Sequence, residues 1–523
     1  MQTDLNKNNI FYLDDSADLL LVNGRIYTVD EHFTVVSQMA VKDGRIVYTG
    51  NNFKSKSKKT IDLQGKCVYP GFIDGHCHFV YFGETLVRYI NLKGCSSFNE
   101  VIERLQQHNN NDSCWIIGQG WDQNLWTSEN GSQPFPDNKM LNRLFPDKYI
   151  LLSRVDGHAV LVNDNILNLI NMNKESGNPK GILLDNDADI AKAAIAPLTD
   201  GQLKTALLKA ESVCFDNGLS SITDAGLDKH TILTIKKLQD EGIMKIKVNA
   251  MANPDSTFDF FINQGKLETD RLKVQSVKLY ADGALGSRGA KLLQPYTDSP
   301  ETEGFIVKDD RFYRQICRKA IDSGFQVCTH AIGDGGVRHT LDIYSEFLSE
   351  NNDLRWRIEH SQIVDSTDFQ RYGKLNIIPS IQATHCIDDM SWAEKYIGTQ
   401  RIRNAYPYRR LLNENNWLVN GTDFPWSNMN PVITFYSSVA RQDIGGNPKE
   451  GFQPDDALTR EQALRSITIW AAKGQFEENV KGSLETGKCA DFVILSEDLM
   501  TAPLSQIPNT EMLSLYINGE KIR

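Results

Sequence analysis

The sequence predicts an α/β protein: a (β/α)8 TIM barrel carrying a small composite β-sandwich domain formed from N- and C-terminal segments. Three observations predict it. Eight apolar, β-rich runs alternate with amphipathic helical stretches through the middle of the chain. Strand-and-turn patterns without helices occupy only the two ends. Five of the ten histidines sit at the C-terminal ends of the apolar runs, the face on which barrel enzymes build their chemistry.

The elements follow in chain order. Asn23-Gly24 between two apolar runs predicts a hairpin, because both turn positions tolerate positive φ, and Asp43-Gly44 predicts a second. At the other end, DFVILS at 491–496 precedes LSLYINGEKIR, whose Asn518-Gly519 predicts a third. Residues 1–70 and 481–523 are therefore assigned together to the β-sandwich, and 71–480 to the barrel. The eight runs are 69–78, 219–226, 245–251, 274–283, 325–334, 355–362, 376–385 and 417–425. An open doubly wound sheet would alternate similarly, but the first run lacks the GxGxxG that marks one. Thr459 with Gln462 marks a capped helix start. Residues 79–218, between the first two runs, far exceed a crossover of ~12 residues. That insertion leaves from the active-site face and is read as a lid or substrate subdomain.

Composition narrows the function. With 523 residues, 40% hydrophobic and 24% charged, the chain is an ordinary globular protein whose core needs no metal for folding. Fifty-six Lys+Arg against 67 Asp+Glu leave a net charge of −11, which excludes nucleic acid as the main partner. No run of ~18 apolar residues predicts a membrane span, and the first thirty residues lack a signal-peptide pattern. Nine cysteines without a CxxC pair read as reduced thiols, so a cytoplasmic enzyme with a small-molecule substrate is expected.

His76 and His78, two apart on the first run, face the same side, into the barrel mouth, while Cys77 points outward to packing. Asp423, in NGTDFP on the last run, neighbours that pair because first and last strands of a closed barrel adjoin. His330 and His360, from the fifth and sixth runs, can face a second site. Imidazoles with one carboxylate describe a hydrolytic metal centre, with zinc the default ion. Lys278, on the fourth run, would be repelled as an ammonium between two divalent cations. Its carbamate, formed with CO2, is an anion that can bridge them. The bland alternative is a rim lysine or one paired with Asp282.

GFIDGHCH, KLYADGALGSRGA around Lys278, HAIGD, RIEHSQ, GTDFP and GSLETGKCADFVIL together resemble the amidohydrolase superfamily. Within it they resemble specifically the YtcJ-like metal-dependent amidohydrolases (amidohydrolase family 3), which include N-substituted formamide deformylases. The resemblance spans about residues 18–523. It implies two divalent metal ions, one held by His76, His78 and Asp423, the other by His330 and His360, with carboxylated Lys278 bridging. GDGG at 333–336 departs from the Gly-Asp-Arg-Ala expected there.

The expected activity is hydrolysis of an amide-type C–N bond, in an N-substituted formamide or N-acyl amine, by a metal-activated hydroxide. Asp423 is the expected proton carrier. Candidate substrate-binding residues are Trp121, Asp122 and His158 in the insertion, Arg288 after the fourth run, and His385 at the end of the seventh. Rival readings are a mononuclear deaminase or lactonase on the same barrel, or a non-catalytic assembly paralogue. A homodimer is compatible with the sequence.

Overall fold

The computed structural model describes residues 16–108, 114–126, 135–155, 159–172 and 180–523. The chain divides into two compact units, Met1–Phe79 with Glu211–Arg523, and Val80–Ala210.

All eight predicted barrel strands are present in the first unit. They run Phe72–Cys77, Leu219–Leu227, Lys247–Ala252, Leu272–Tyr280, Gln326–Ala331, Arg357–His360, Ile378–Gln382 and Val419–Gly421, each hydrogen-bonded in parallel to the next. Between them lie helices such as Lys229–Asp240, Asp310–Ser323 and Asp334–Ser345. The seam between the last strand and the first is closed just beyond the strand ends. The Asp423 N–H donates to the His76 carbonyl at 2.8 Å, and the His78 N–H donates to the Phe424 carbonyl at 2.9 Å. Asp74 reinforces the seam, accepting from the Thr422 N–H at 3.1 Å and its hydroxyl at 2.6 Å. The backbones approach so closely that a Cβ on Gly421 would lie 2.4 Å from the His76 nitrogen. Only glycine fits there. The seam thus fixes His76, His78 and Asp423 relative to one another through the main chain.

The chain ends build two sheets. One holds the N-terminal strands Arg45–Gly50, Gln38–Lys42, Ala17–Val22 and Ser57–Asp62. The other interleaves both ends, in the order Glu520–Lys521, Met512–Ile517, Phe492–Leu495, Cys67–Pro70, Arg25–Tyr27, Val35–Val36. They share a core that includes Leu21, Met39, Val68, Phe492 and Tyr516. Asp43-Gly44 and Asn518-Gly519 join antiparallel partners as expected.

Asn23-Gly24 does not form the hairpin expected of it. Ala17–Val22 pairs in the first sheet and Arg25–Tyr27 in the second, so this turn passes the chain between sheets. The same positive φ, 55° at Asn23, serves either use. The close approach decides between them, since a Cβ on Gly24 would collide with Leu63 Cδ1 at 2.1 Å.

The second unit has its own sheet, ordered Ile182–Leu184, Ala159–Val162, Tyr149–Arg154, Trp115–Trp121, Tyr89–Asn91. Its core includes Leu92, Val101, Ile116, Trp121 and Leu152. Helix Phe98–Gln107 is capped by Ser97, whose side chain accepts from the Glu100 N–H. Thr459 and Gln462 form the predicted reciprocal cap at Arg460–Ser466. Among the described residues, no helix is long and apolar enough to cross a membrane. The nine cysteines are unpaired, eight of them buried.

Candidate metal centre at the barrel mouth

His76 is buried at the end of the first barrel strand and His78 follows it, partly open. Asp423 Oδ1 lies 3.4 Å from His76 Nε2 and 3.3 Å from His78 Nε2. One donor atom from each of the three falls within 4.8 Å of the others, and the same holds for His360, His385 and Asp423. Asp423 is therefore common to both triads. Its Oδ1 and the Nδ1 of His360 are buried, yet neither makes a hydrogen bond. Buried polar atoms normally find partners. Two imidazole nitrogens and a carboxylate oxygen converging with such orphaned atoms form a donor set that suits a divalent cation. The residues present fit the implied metal.

Local backbone conformation aims these side chains. Successive residues of a strand face opposite sides, so Glu359 and His360 should diverge. His360 instead takes φ of 72° and Ser361 43°, which turns the imidazole into the mouth. Its ring centroid lies 4.5 Å from that of His330 and 5.0 Å from that of His76. Asp423 has φ of 60°. Such conformations cost on the order of 1–3 kcal/mol each in a residue with a Cβ, and they collect at functional sites.

Glu359, which the sequence reading passed over, is fully buried and locks the first histidine. Its Oε2 lies 2.5 Å from His76 Nδ1. Arg357 donates to its two oxygens at 2.7 and 2.9 Å, and also to the Gly75 carbonyl and Ser380 hydroxyl at 2.8 Å each. Burial alone would raise the Glu359 carboxyl, but Arg357 and then His76 hold it well below the usual range. An anionic Glu359 retains the proton on His76 Nδ1 and leaves the Nε2 lone pair facing Asp423. A carboxylate behind a ligating imidazole is the usual outer support of a metal site. The available signal was an opposite-charge pair two residues apart on one face of a strand otherwise expected to be buried.

Lys278 is neither at the rim nor paired with Asp282, contrary to the bland alternative. It is 1% exposed, with Nζ 3.4 Å from His76 Nε2 and 4.8 Å from the Tyr280 ring centroid. Burial lowers its pKa, which favours the neutral amine. Asp282 instead accepts backbone N–H bonds from Lys291, Ile332 and Gly333 at 2.9, 3.0 and 2.8 Å. That role bears on one half of the GDGG departure, because a Cβ at Gly336 would lie 2.4 Å from Asp282 Oδ2. Burial pushes His330 down to about 3, which keeps its imidazole neutral and competent to ligate.

His385 is displaced from its expected place. The seventh strand stops at Gln382, and His385 opens the short helix His385–Asp389. The helix brings its Nε2 to 3.7 Å from Asp423 Oδ2, with its ring stacked at 5.9 Å on His360. Cys77 faces away, its thiol donating to the Thr223 carbonyl at 3.3 Å.

A cavity of about 440 Å³ opens over the cluster. His78, His330, His360, His385 and Asp423 line it, with Tyr280, Leu285, Ile332, Trp392 and Trp426 as apolar walls. Arg288 is not among its lining residues. Its guanidinium is held by Asp298 at 2.6 Å and lies 4.7 Å from the Tyr396 ring centroid. In the second unit, Trp121 is a core residue whose indole donates to the Leu152 carbonyl, and Asp122 pairs with Arg154. His158 lies outside the described residues.

Comparison with known proteins agrees with this geometry. The chain is 29% identical to protein LONG AFTER FAR-RED 3 of Arabidopsis thaliana, over 97% of this chain and 91% of that one. It is 27% identical to YtcJ of Bacillus subtilis (strain 168), covering 95% and 98%. To the N-substituted formamide deformylase of Arthrobacter pascens it is 23% identical, covering 96% and 97%. The crystal structure of an uncharacterized metal-dependent hydrolase from Pyrococcus horikoshii OT3 superposes with a TM-score of 0.81 at 27% identity, covering 93% of this chain and 99% of that one. Residues 59–522, all eight barrel strands among them, match the amidohydrolase family, and the chain belongs to that family.

Proposed function

We propose that this protein hydrolyses an amide-type C–N bond of a small molecule, an N-substituted formamide or another N-acyl amine, with two zinc ions and a carbamate on Lys278. The observation that carries the reading is Asp423, common to two potential metal-binding triads at the floor of an apolar-walled cavity. His76, His78 and Asp423 would hold one cation. His360 would hold the other, with His385 and Asp423 completing the second triad and His330, whose ring centroid lies 4.5 Å from that of His360, as the further imidazole, and Lys278 between. Bound there, divalent cations supply Lewis acidity, polarising a carbonyl and lowering the pKa of water.

The chain's own groups do the rest. Lys278, buried and biased to the neutral amine, attacks the carbon of CO2 through its Nζ lone pair. An N–C bond forms as one C–O π bond of CO2 opens onto oxygen, one N–H proton passes to water, and the side chain becomes a carbamate anion. The Asp423 carboxylate takes a proton from the attacking water. As the C–N bond of the tetrahedral adduct breaks, it returns that proton to the departing nitrogen, leaving a carboxylic acid and an amine. Glu359 holds His76 in one tautomer throughout. Tyr280, Leu285, Ile332, Trp392 and Trp426 exclude water from the flank of the substrate.

Lys278 favours this reading over the mononuclear deaminase, which has no use for a bridging anion. The test is a panel of N-formyl, N-acyl, lactone and cyclic-ureide compounds with zinc-loaded enzyme. Turnover confined to C–N substrates supports the proposal, and turnover confined to lactones overturns it. Zinc-loaded protein should carry about two ions per chain by elemental analysis, and chelation should abolish turnover without loss of helical circular dichroism. The barrel core is large enough to persist without metal. One ion per chain at saturation would favour the mononuclear alternative.

A further inference from the structure

We propose that the cavity at the barrel mouth selects substrates bearing a positively charged amine beyond the scissile bond, with Asp389 as the specificity-determining residue. The inference rests on the C–N hydrolase reading and names its substrate class.

The cavity is chemically asymmetric. At one end His360, His385 and Asp423 converge on the candidate metal position. Asp388 and Asp389 also line it, and among the described lining residues there is no lysine or arginine. His385 and Asp389 are four residues apart on one short helix, hence on the same face and about 6 Å apart along its axis. A substrate whose carbonyl reaches the metal position therefore places its substituent past the carboxylates.

Both carboxylates are built into place. Asp389 Oδ2 accepts from Gln362 Nε2 at 3.0 Å and from the Tyr406 hydroxyl at 2.8 Å. Asp388 Oδ2 accepts from the Ser427 hydroxyl at 2.6 Å. The same cavity is lined by aromatic side chains: Trp426, 61% exposed, Tyr280, 42% exposed, and Trp392. Aromatic faces beside carboxylates attract ammonium groups through ring quadrupole and charge together. A neutral chain gains only apolar contact there, and a carboxylate is repelled. Asp388 is exposed and heavily screened, so the half-buried Asp389 carries more of the discrimination.

The test uses three N-formyl probes with the same six-carbon chain: monoformyl-1,6-diaminohexane, N-formylhexylamine and N-formyl-6-aminohexanoate. Binding to the zinc-loaded enzyme is followed by quenching of tryptophan fluorescence, and turnover by release of formate. The cationic probe should bind about tenfold more tightly than the neutral one, and the anionic probe most weakly. Asp389→Asn keeps an acceptor for Gln362 and Tyr406 but removes the charge. It should narrow the cationic advantage, read as the ratio of cationic to hexyl affinity within the same variant, to about twofold. A hexyl probe that binds as well as the cationic one, a preference that survives in Asp389→Asn, or binding of none of the three would each overturn the inference. Charge-selective binding lost in Asp389→Asn, without cleavage of any C–N substrate, would sustain it while defeating the hydrolase reading. Cleavage without charge preference would do the reverse.

Discussion

Lys278→Ala should lose metal occupancy and turnover together, the latter by about 10³-fold or more, since metal charge stabilisation supplies several kcal/mol at the transition state. Lys278 sits 3.4 Å from His76 Nε2 and is sealed from solvent, so its removal empties the centre of the cluster. On the proposed two-metal reading, two cations would then face one another with one anionic side chain fewer. Lys278→Arg should fare no better, because guanidinium stays positive and forms no carbamate. Acetate or formate added to Lys278→Ala should restore part of both signals by occupying the vacated space. Elemental analysis alongside initial rates is the measurement. Full occupancy and full rate in Lys278→Arg would sink the bridged two-metal reading.

Glu359 separates support of the metal centre from support of the fold. In Glu359→Gln the shape is kept but the anion behind His76 Nδ1 is lost, so the tautomer is no longer imposed. Metal affinity should fall about 10–100-fold in competition with a chromogenic chelator. Both substitutions remove the counter-charge of the buried Arg357, but thermal stability should fall less in Glu359→Gln than in Glu359→Ala, because the amide oxygen still accepts from Arg357 and no cavity is left. Breaking such a pair costs about 3–5 kcal/mol, read as a lowered unfolding midpoint. Wild-type metal affinity in Glu359→Gln would show that His76 holds its tautomer without help.

The residues that were legible in sequence share one property: their positions follow from local periodicity. His76 and His78 two apart, Asp423 just past the last strand, and His330 on the fifth all lie where a strand-end pattern places them. Asp43-Gly44 and Asn518-Gly519 were legible for the same reason, since turn chemistry joins neighbours along the chain. Glu359 was not, because the Arg357 pair two residues away reads equally as a solvated pair, and His76, the partner that gives it a role, comes from the first strand, 283 residues distant. Arg288 could not be told from an anion anchor until Asp298, ten residues on, was seen to hold it.

The sequence alone determined the eight alternating strands, the composite β domain and the convergence of histidines on one barrel face, because hydrophobic period and strand-end position are local quantities. Tertiary structure alone decided four things. Asn23-Gly24 crosses between sheets, because Leu63 packs against it. His360 turns into the mouth through a positive φ that no side-chain pattern announces. His385 reaches Asp423 from a helix, because the seventh strand ends at Gln382. Lys278 is buried against His76 rather than paired with Asp282, because three backbone N–H groups already claim that carboxylate. Each outcome depends on which distant atoms compete for the same space or the same hydrogen bond, and that competition exists only in the folded chain.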